Sequence, residues 1–144
     1  MFFKTFMKFA TLAMVLALAS GPATMAADAV KKHRVVFHLN DDNEAKWNMA
    51  LNNVSIMQKN LGKENVDIEL VANGGGLKML KFDTTVGNRL GDAIKSGITF
   101  NACGETMKAT KVTEKDLFPG VKVVPGGNIE VMEKQEAGWT YLKL

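Results

Sequence analysis

RVVFHLNDDNEAKWNMALNNVSIMQKNLGKENVDIELVA, residues 34–72, sets two β-branched runs on either side of a helical pattern. Arg34 to Leu39 is apolar nearly throughout, as a central strand of a parallel sheet must be when both its faces are covered. Asp41, Asp42 and Asn43 supply the capping oxygens of a helix. In it Trp47, Ala50, Leu51, Val54, Met57 and Leu61 fall on one stripe before Gly62 ends it. Val66 to Ala72 is the second strand. Met49 and Ile56 lie on a neighbouring face of the same helix and add more apolar surface than one core stripe needs.

The same alternation continues to the C-terminus. Asn73-Gly74-Gly75-Gly76 is read as a loop, followed by a short helical piece over Leu77 to Lys81. Asp83, Thr84 and Thr85 are candidate caps for a helix that aligns Val86, Leu90, Ala93, Ile94 and Gly97. Ile98 to Asn101 is a brief third strand, and a helical turn follows Cys103-Gly104 as far as Lys108. Thr113 to Asp116 has the spacing of a capping box. After the Pro119-Gly120 turn come a fourth strand over Val121 to Val124, a break at Pro125-Gly126-Gly127, a helix over Ile129 to Ala137 and a last strand over Trp139 to Leu144. Five strands alternating with helices predict a three-layer α/β/α domain with a mainly parallel sheet and right-handed crossovers.

Upstream of this domain, Lys4 and Lys8 precede an apolar run from Phe9 to Ala19, and small residues follow. This is the pattern of a secretory signal over residues 1–26, with cleavage after Ala26 or one residue later. Eleven residues rise only about 16 Å as a helix, roughly half of a bilayer core, so the run predicts no stable membrane insertion once it is removed. The mature chain, residues 27–144, has the size of one domain and is expected to be periplasmic or secreted. Loss of Lys4 and Lys8 leaves sixteen basic side chains against fifteen acidic ones, a net charge of about +1. No basic run is interleaved with aromatic residues, so no nucleic-acid partner is expected.

Ligands of open α/β sheets sit beyond the carboxyl ends of the strands. That rule gathers His38 and Asn40, Asn73 to Gly76, Cys103 and Gly104, and Pro125 and Gly126 on one rim as the candidate pocket. Cys103 is the chain's single cysteine, which excludes an intramolecular disulfide and leaves a packed thiol, an intermolecular bridge or a reactive thiol. Standing before a helical turn, it can receive backbone N–H groups that favour thiolate, while the adjacent Glu105 opposes this and Lys108 offsets Glu105. On these grounds Cys103 is expected to be partly accessible, with a lowered pKa and with Glu105 turned to solvent.

Other motifs carry less. The Gly74 to Gly76 run lacks the GxGxxG spacing and a following lysine-serine pair, so it does not read as a phosphate loop. His38 has no carboxylate or cysteine at ligand spacing, which points to a hydrogen-bonded structural role. No metal and no other cofactor are expected. Neither Ser55 nor Ser96 lies in a strand-to-helix turn, so a serine nucleophile is not expected. Asp41, Asp42 and Glu44 precede a helix and read as capping and dipole partners.

Taken in order, VVFHLN, VANGGGL, ITFNACGETMKA and the ending VKVVPGGNIEVMEKQEAGWTYLKL resemble the DsrE-like family, in particular its small stand-alone members, over about residues 33 to 144. The resemblance implies a five-stranded parallel sheet in a three-layer α/β/α sandwich, and assembly as a homo-oligomer. It also implies sulfur relay, in which a cysteine after a central strand carries sulfane sulfur as a persulfide between donor and acceptor proteins. Cys103 occupies that place. A persulfide carrier needs one cysteine, whereas a disulfide oxidoreductase needs two. The alternative is a noncatalytic binding or assembly module in which Cys103 packs.

Overall fold

The computed structural model describes residues 32–144; the signal-like segment over residues 1–26 lies outside the described residues. Strand β1 (His33–Leu39) is followed by α1 (Glu44–Leu61), β2 (Val66–Ala72), a 3-10 helix (Gly74–Leu80), α2 (Gly87–Lys95), β3 (Thr99–Cys103) and α3 (Gly104–Thr110). A 3-10 turn (Glu114–Asp116), β4 (Lys122–Val124), α4 (Gly127–Glu136) and β5 (Thr140–Lys143) complete the chain. The five strands form one all-parallel sheet in the order β4-β3-β2-β1-β5.

That order places the helices. From β1 to β4 the chain steps across the sheet in one direction, so right-handed crossovers put α1, α2 and α3 on the same face. The step from β4 to β5 runs back across the whole sheet, and α4 therefore lies on the opposite face. Period-2 alternation sorts the strand residues accordingly. Val35, Phe37, Leu39, Ile68, Leu70, Ala72, Phe100 and Ala102 join the main core with Trp47, Ala50, Leu51 and Val54 of α1. Val36 and Val71 pack under Val131 of α4, with Trp139 and Tyr141 beside them.

Helix α1 shows how the terms compare. The Asn43 side chain accepts from the Lys46 N–H at 3.2 Å, and the Gly62 N–H closes the other end on the Gln58 carbonyl at 3.1 Å. Such a cap contributes about 1 kcal/mol, less than the roughly 1.5–3 kcal/mol from burying a single Leu51 or Val54. The buried stripe therefore fixes the helix and the cap sets where it begins.

Several element boundaries differ from the sequence expectation. Residues Gly74–Leu80 are a continuous 3-10 helix, in which Gly76 packs where a Cβ would run into the carbonyl oxygen of Leu39. Helix α2 starts after Val86 without a side-chain cap, and the Thr84 hydroxyl, a candidate cap, is buried without a hydrogen-bond partner. Strand β3 runs on through Cys103, which pairs with Val124 and so ends the strand instead of following it. Helix α4 begins at Gly127, two residues before Ile129, which brings a backbone N–H to the sheet rim.

Candidate functional site

Alternation along β3 turns Ala102 into the main core and aims Asn101 and Cys103 at the face beneath α4. Cys103 is 5% exposed, so the expected accessibility is not there: the first turn of α4 covers the sulfur. The Gly127 N–H donates to Cys103 Sγ at 3.1 Å. Burial pushes the thiol up. The Thr106 hydroxyl and the backbone N–H groups of Gly127, Thr106 and Glu105 outweigh burial and hold it below its ordinary value. The Thr106 Oγ1 also accepts from the Gly74 N–H at 3.0 Å, which ties the glycine turn to the sulfur through one hydroxyl. Glu105 faces solvent and pairs with Lys108 at 2.7 Å.

His38 belongs to a separate chain of hydrogen bonds. The Asn73 amide N–H donates to the Asn128 Oδ1 at 3.0 Å, so the Asn73 oxygen faces His38 Nε2, 3.1 Å away. With the Asn73 oxygen on that side Nε2 donates, and Nδ1 lies 3.4 Å from the Tyr141 hydroxyl. This chain joins β5, β1, the end of β2 and the first turn of α4. His38 makes no hydrogen bond to Cys103, so it does not serve as the base of a Cys–His pair in this arrangement.

The remaining rim residues divide by position. Gly104 packs against the Val124 and Pro125 carbonyls, and the Pro125 oxygen accepts from the Glu105 N–H at 3.2 Å. Gly126 is the N-cap residue of α4. Asn40 is exposed, and Gly75 and Gly76 pack against Asp42 and Leu39 at the turn out of β1. A cavity of about 380 Å³ is lined by Asp42, Gly74, Gly75, Leu77, Lys78, Lys81, Thr110 and Val112, and neither Cys103 nor His38 reaches it. Among the described residues no three His, Cys, Asp or Glu side chains converge as metal ligands.

Deeper under α4 lies a charged cluster that sequence reasoning missed. Glu69, 3% exposed, sits in β2 and accepts from the Asn101 side-chain N–H at 2.7 Å and from Lys134 at 2.6 Å. Lys134 also meets Glu130 at 3.4 Å and stands 4.5 Å from the centroid of the Trp139 ring. Burial pushes the Glu69 carboxyl up against the pull of Lys134. Burial works to lower Lys134, but Glu69 and Glu130 outweigh it and hold the ammonium above its usual range. The available signal was a glutamate and an asparagine inside strands that otherwise read as buried. Thr106, Asn128 and Tyr141 carried no comparable signal.

The model of the DsrE/DsrF-like family matches residues 31–144. No curated protein matches the chain. Among solved structures, MTH1491, a protein of unknown function from Methanobacterium thermoautotrophicum, is 31% identical with a TM-score of 0.76, covering 78% of this chain and 100% of its own. BT1422 of Bacteroides thetaiotaomicron, a conserved protein of unknown function, is 22% identical with a TM-score of 0.62, over 77% of this chain and 94% of its own. The ychN protein of E. coli shares the fold at 14% identity and a TM-score of 0.62, over 79% of this chain and 99% of its own.

Proposed function

Because this chain belongs to the DsrE/DsrF-like family, which is associated with sulfur relay in general, we propose that it carries sulfane sulfur as a persulfide on Cys103. The observation that carries this reading is the donor set converging on one sulfur. The Gly127 N–H at 3.1 Å and the Thr106 hydroxyl hold Cys103 toward thiolate in spite of its burial.

The chemistry balances without an outside oxidant. Cys103 thiolate attacks the terminal sulfur of a persulfide or polysulfide donor, an S–S bond forms to Cys103, and the donor's own S–S bond breaks with the electron pair leaving on its inner sulfur. An acceptor thiolate then attacks the outer sulfur and Cys103 leaves as thiolate. The 5% exposure of Cys103 favours a small donor such as inorganic polysulfide at the loading step.

Burial is also the observation that favours the second reading, a noncatalytic binding or assembly module with a packed cysteine. Intact mass measurement after polysulfide treatment separates the two. One added sulfur, absent in Cys103→Ala, supports the carrier. A folded protein inert to both polysulfide and alkylating reagents supports the module.

Export and assembly belong to the same reading. The signal-like residues 1–26 support a working location in the periplasm or outside the cell, and a mature N-terminus near Ala27 is the expected result of N-terminal sequencing. Retention of Met1 in the exported fraction would overturn this. Met49 and Ile56 on α1 are 43% and 56% exposed and supply apolar surface for a homo-oligomer. A monomer by light scattering across the micromolar range would remove that idea.

A further inference from the structure

Helix α4 meets the sheet through Gly127, Val131 and Lys134, positions i, i+4 and i+7 of one face. Only one of the three, Val131, is an apolar side chain, packed on Val36 and Val71. The outer face carries the larger apolar pair: Ile129 and Met132 are 55% and 49% exposed. Burial of apolar area would by itself favour turning α4 so that Ile129 and Met132 went down and Lys134 came out into water. Apolar packing therefore does not explain the observed rotation, and something else specifies it.

We infer that the Glu69–Lys134 ion pair is a positioning device that fixes the rotation and height of α4, so that the Gly127 N–H stays on the sulfur of Cys103. The inference rests on the reading of Cys103 as the reactive sulfur. A buried ion pair is a poor source of stability, because desolvation offsets its attraction, but it specifies one arrangement since either charge left alone under the helix is costly. Glu69 is placed for this by its neighbours: Asn101 of β3 holds one carboxylate oxygen and Lys134 takes the other. Trp139 bounds the ammonium on another side at 4.5 Å. Gly127 and Lys134 are seven residues apart, roughly 10 Å along a rigid helix, so a restraint at one end is felt at the other.

The test uses the double variant Glu69→Gln/Lys134→Met, near-isosteric and uncharged, in which the amide oxygen introduced at position 69 can still accept from Asn101. The expected result is a folded protein whose Cys103 alkylation profile moves to higher pH, with thiolate at neutral pH lowered about three- to tenfold. Lys134→Arg, which keeps the pair, retains the wild-type profile. A folded double variant with an unchanged profile overturns the inference.

Should the double variant not fold, the unaltered protein supplies the second measurement. The titratable groups facing Glu69 are Lys134 and Glu130 of α4; β1 presents Val36 in register and β3 presents Asn101. Neutralising Glu69 with acid should shift the Gly127 amide resonance in step with the Glu69 carboxyl carbon. A Gly127 resonance that stays still through that titration overturns the inference. Both readouts report Cys103 ionisation or the Gly127 amide, not sulfur loading, so a failure to form persulfide would leave them unaffected.

Discussion

Gly127 and Cys103 are in contact twice over: the Gly127 N–H reaches the sulfur at 3.1 Å, and a Cβ built on Gly127 would stand 3.1 Å from the Cβ of Cys103. The closeness that makes the hydrogen bond also excludes a side chain. The same Cβ would lie 3.2 Å from the Asn73 Cβ and 3.3 Å from Val71 Cγ1. Two of these neighbours are Cβ atoms, which cannot swing aside without moving the main chain.

Gly127→Ala should therefore lift the start of α4. Alanine would normally gain about 0.5–1 kcal/mol in a helix, but crowding of a packed site costs about 1–3 kcal/mol, so the net expectation is a loss. Urea unfolding should show the loss, and thiolate absorbance should appear only at higher pH than in the wild type. A more stable variant with an unchanged thiol would contradict the contact.

The thiol also predicts a pH-dependent stability. Its folded pKa lies below the ordinary 9.0, so between the two values the unfolded chain binds the proton that the folded protein has released. Stability from this group is present above 9.0 and is lost as pH falls through the folded value. Unfolding of wild type and Cys103→Ser at a series of pH values should give curves that diverge as pH rises toward 9.0, the wild type gaining. Parallel curves would mean that the folded and unfolded thiols titrate alike.

Thr106 holds two partners with one hydroxyl. Thr106→Val keeps the shape and removes both the donor to sulfur and the acceptor for Gly74 at 3.0 Å. Each lost hydrogen bond contributes about 0.5–1.5 kcal/mol, so thiolate at neutral pH should fall about two- to tenfold, with a small loss of stability. Thr106→Ser should retain both functions. An alkylation profile identical in all three proteins would exclude the hydroxyl from the sulfur's environment.

Gly74 and Gly76 should respond differently to alanine. At Gly76 the new Cβ would meet the Leu39 carbonyl group, main chain inside the sheet, at a cost near the upper end of about 1–3 kcal/mol. At Gly74 the nearest atom is the Asn40 oxygen at 3.6 Å, an ordinary contact, and only the φ of +50° is penalised, by about 1 kcal/mol. Thermal unfolding ranks the two. Equal, small effects would restore the reading of Asn73 to Gly76 as a loop.

The layers of this fold were legible in residues 34–72 because the core stripe of α1 and the apolar runs of β1 and β2 obey simple periods. Boundaries set by close contact were not. Gly76 and Gly127 read as turn glycines, since a missing side chain gives no sign of which neighbour occupies its place. The rim placement of Cys103 followed from the strand-end rule, but its burial did not. That depends on α4 returning across the sheet, a relationship between distant segments that no local pattern encodes. Glu69 and Asn101 were visible as polar residues in buried strands. The ion-pair partner of Glu69, Lys134, lies on a helix whose inward face is not its most apolar one.

The long return of the chain from β4 to β5 sets an order of events. Strand β5 pairs with β1, joining Val35 to Thr140, so it docks only after the largest loop in the domain has closed. Until the segment from Gly127 onward is seated, Cys103 lacks its Gly127 donor and its cover. The environment of the sulfur is thus completed late, with the seating of that segment. Under the export proposed above, a chain that crossed before folding would complete that environment only on the far side.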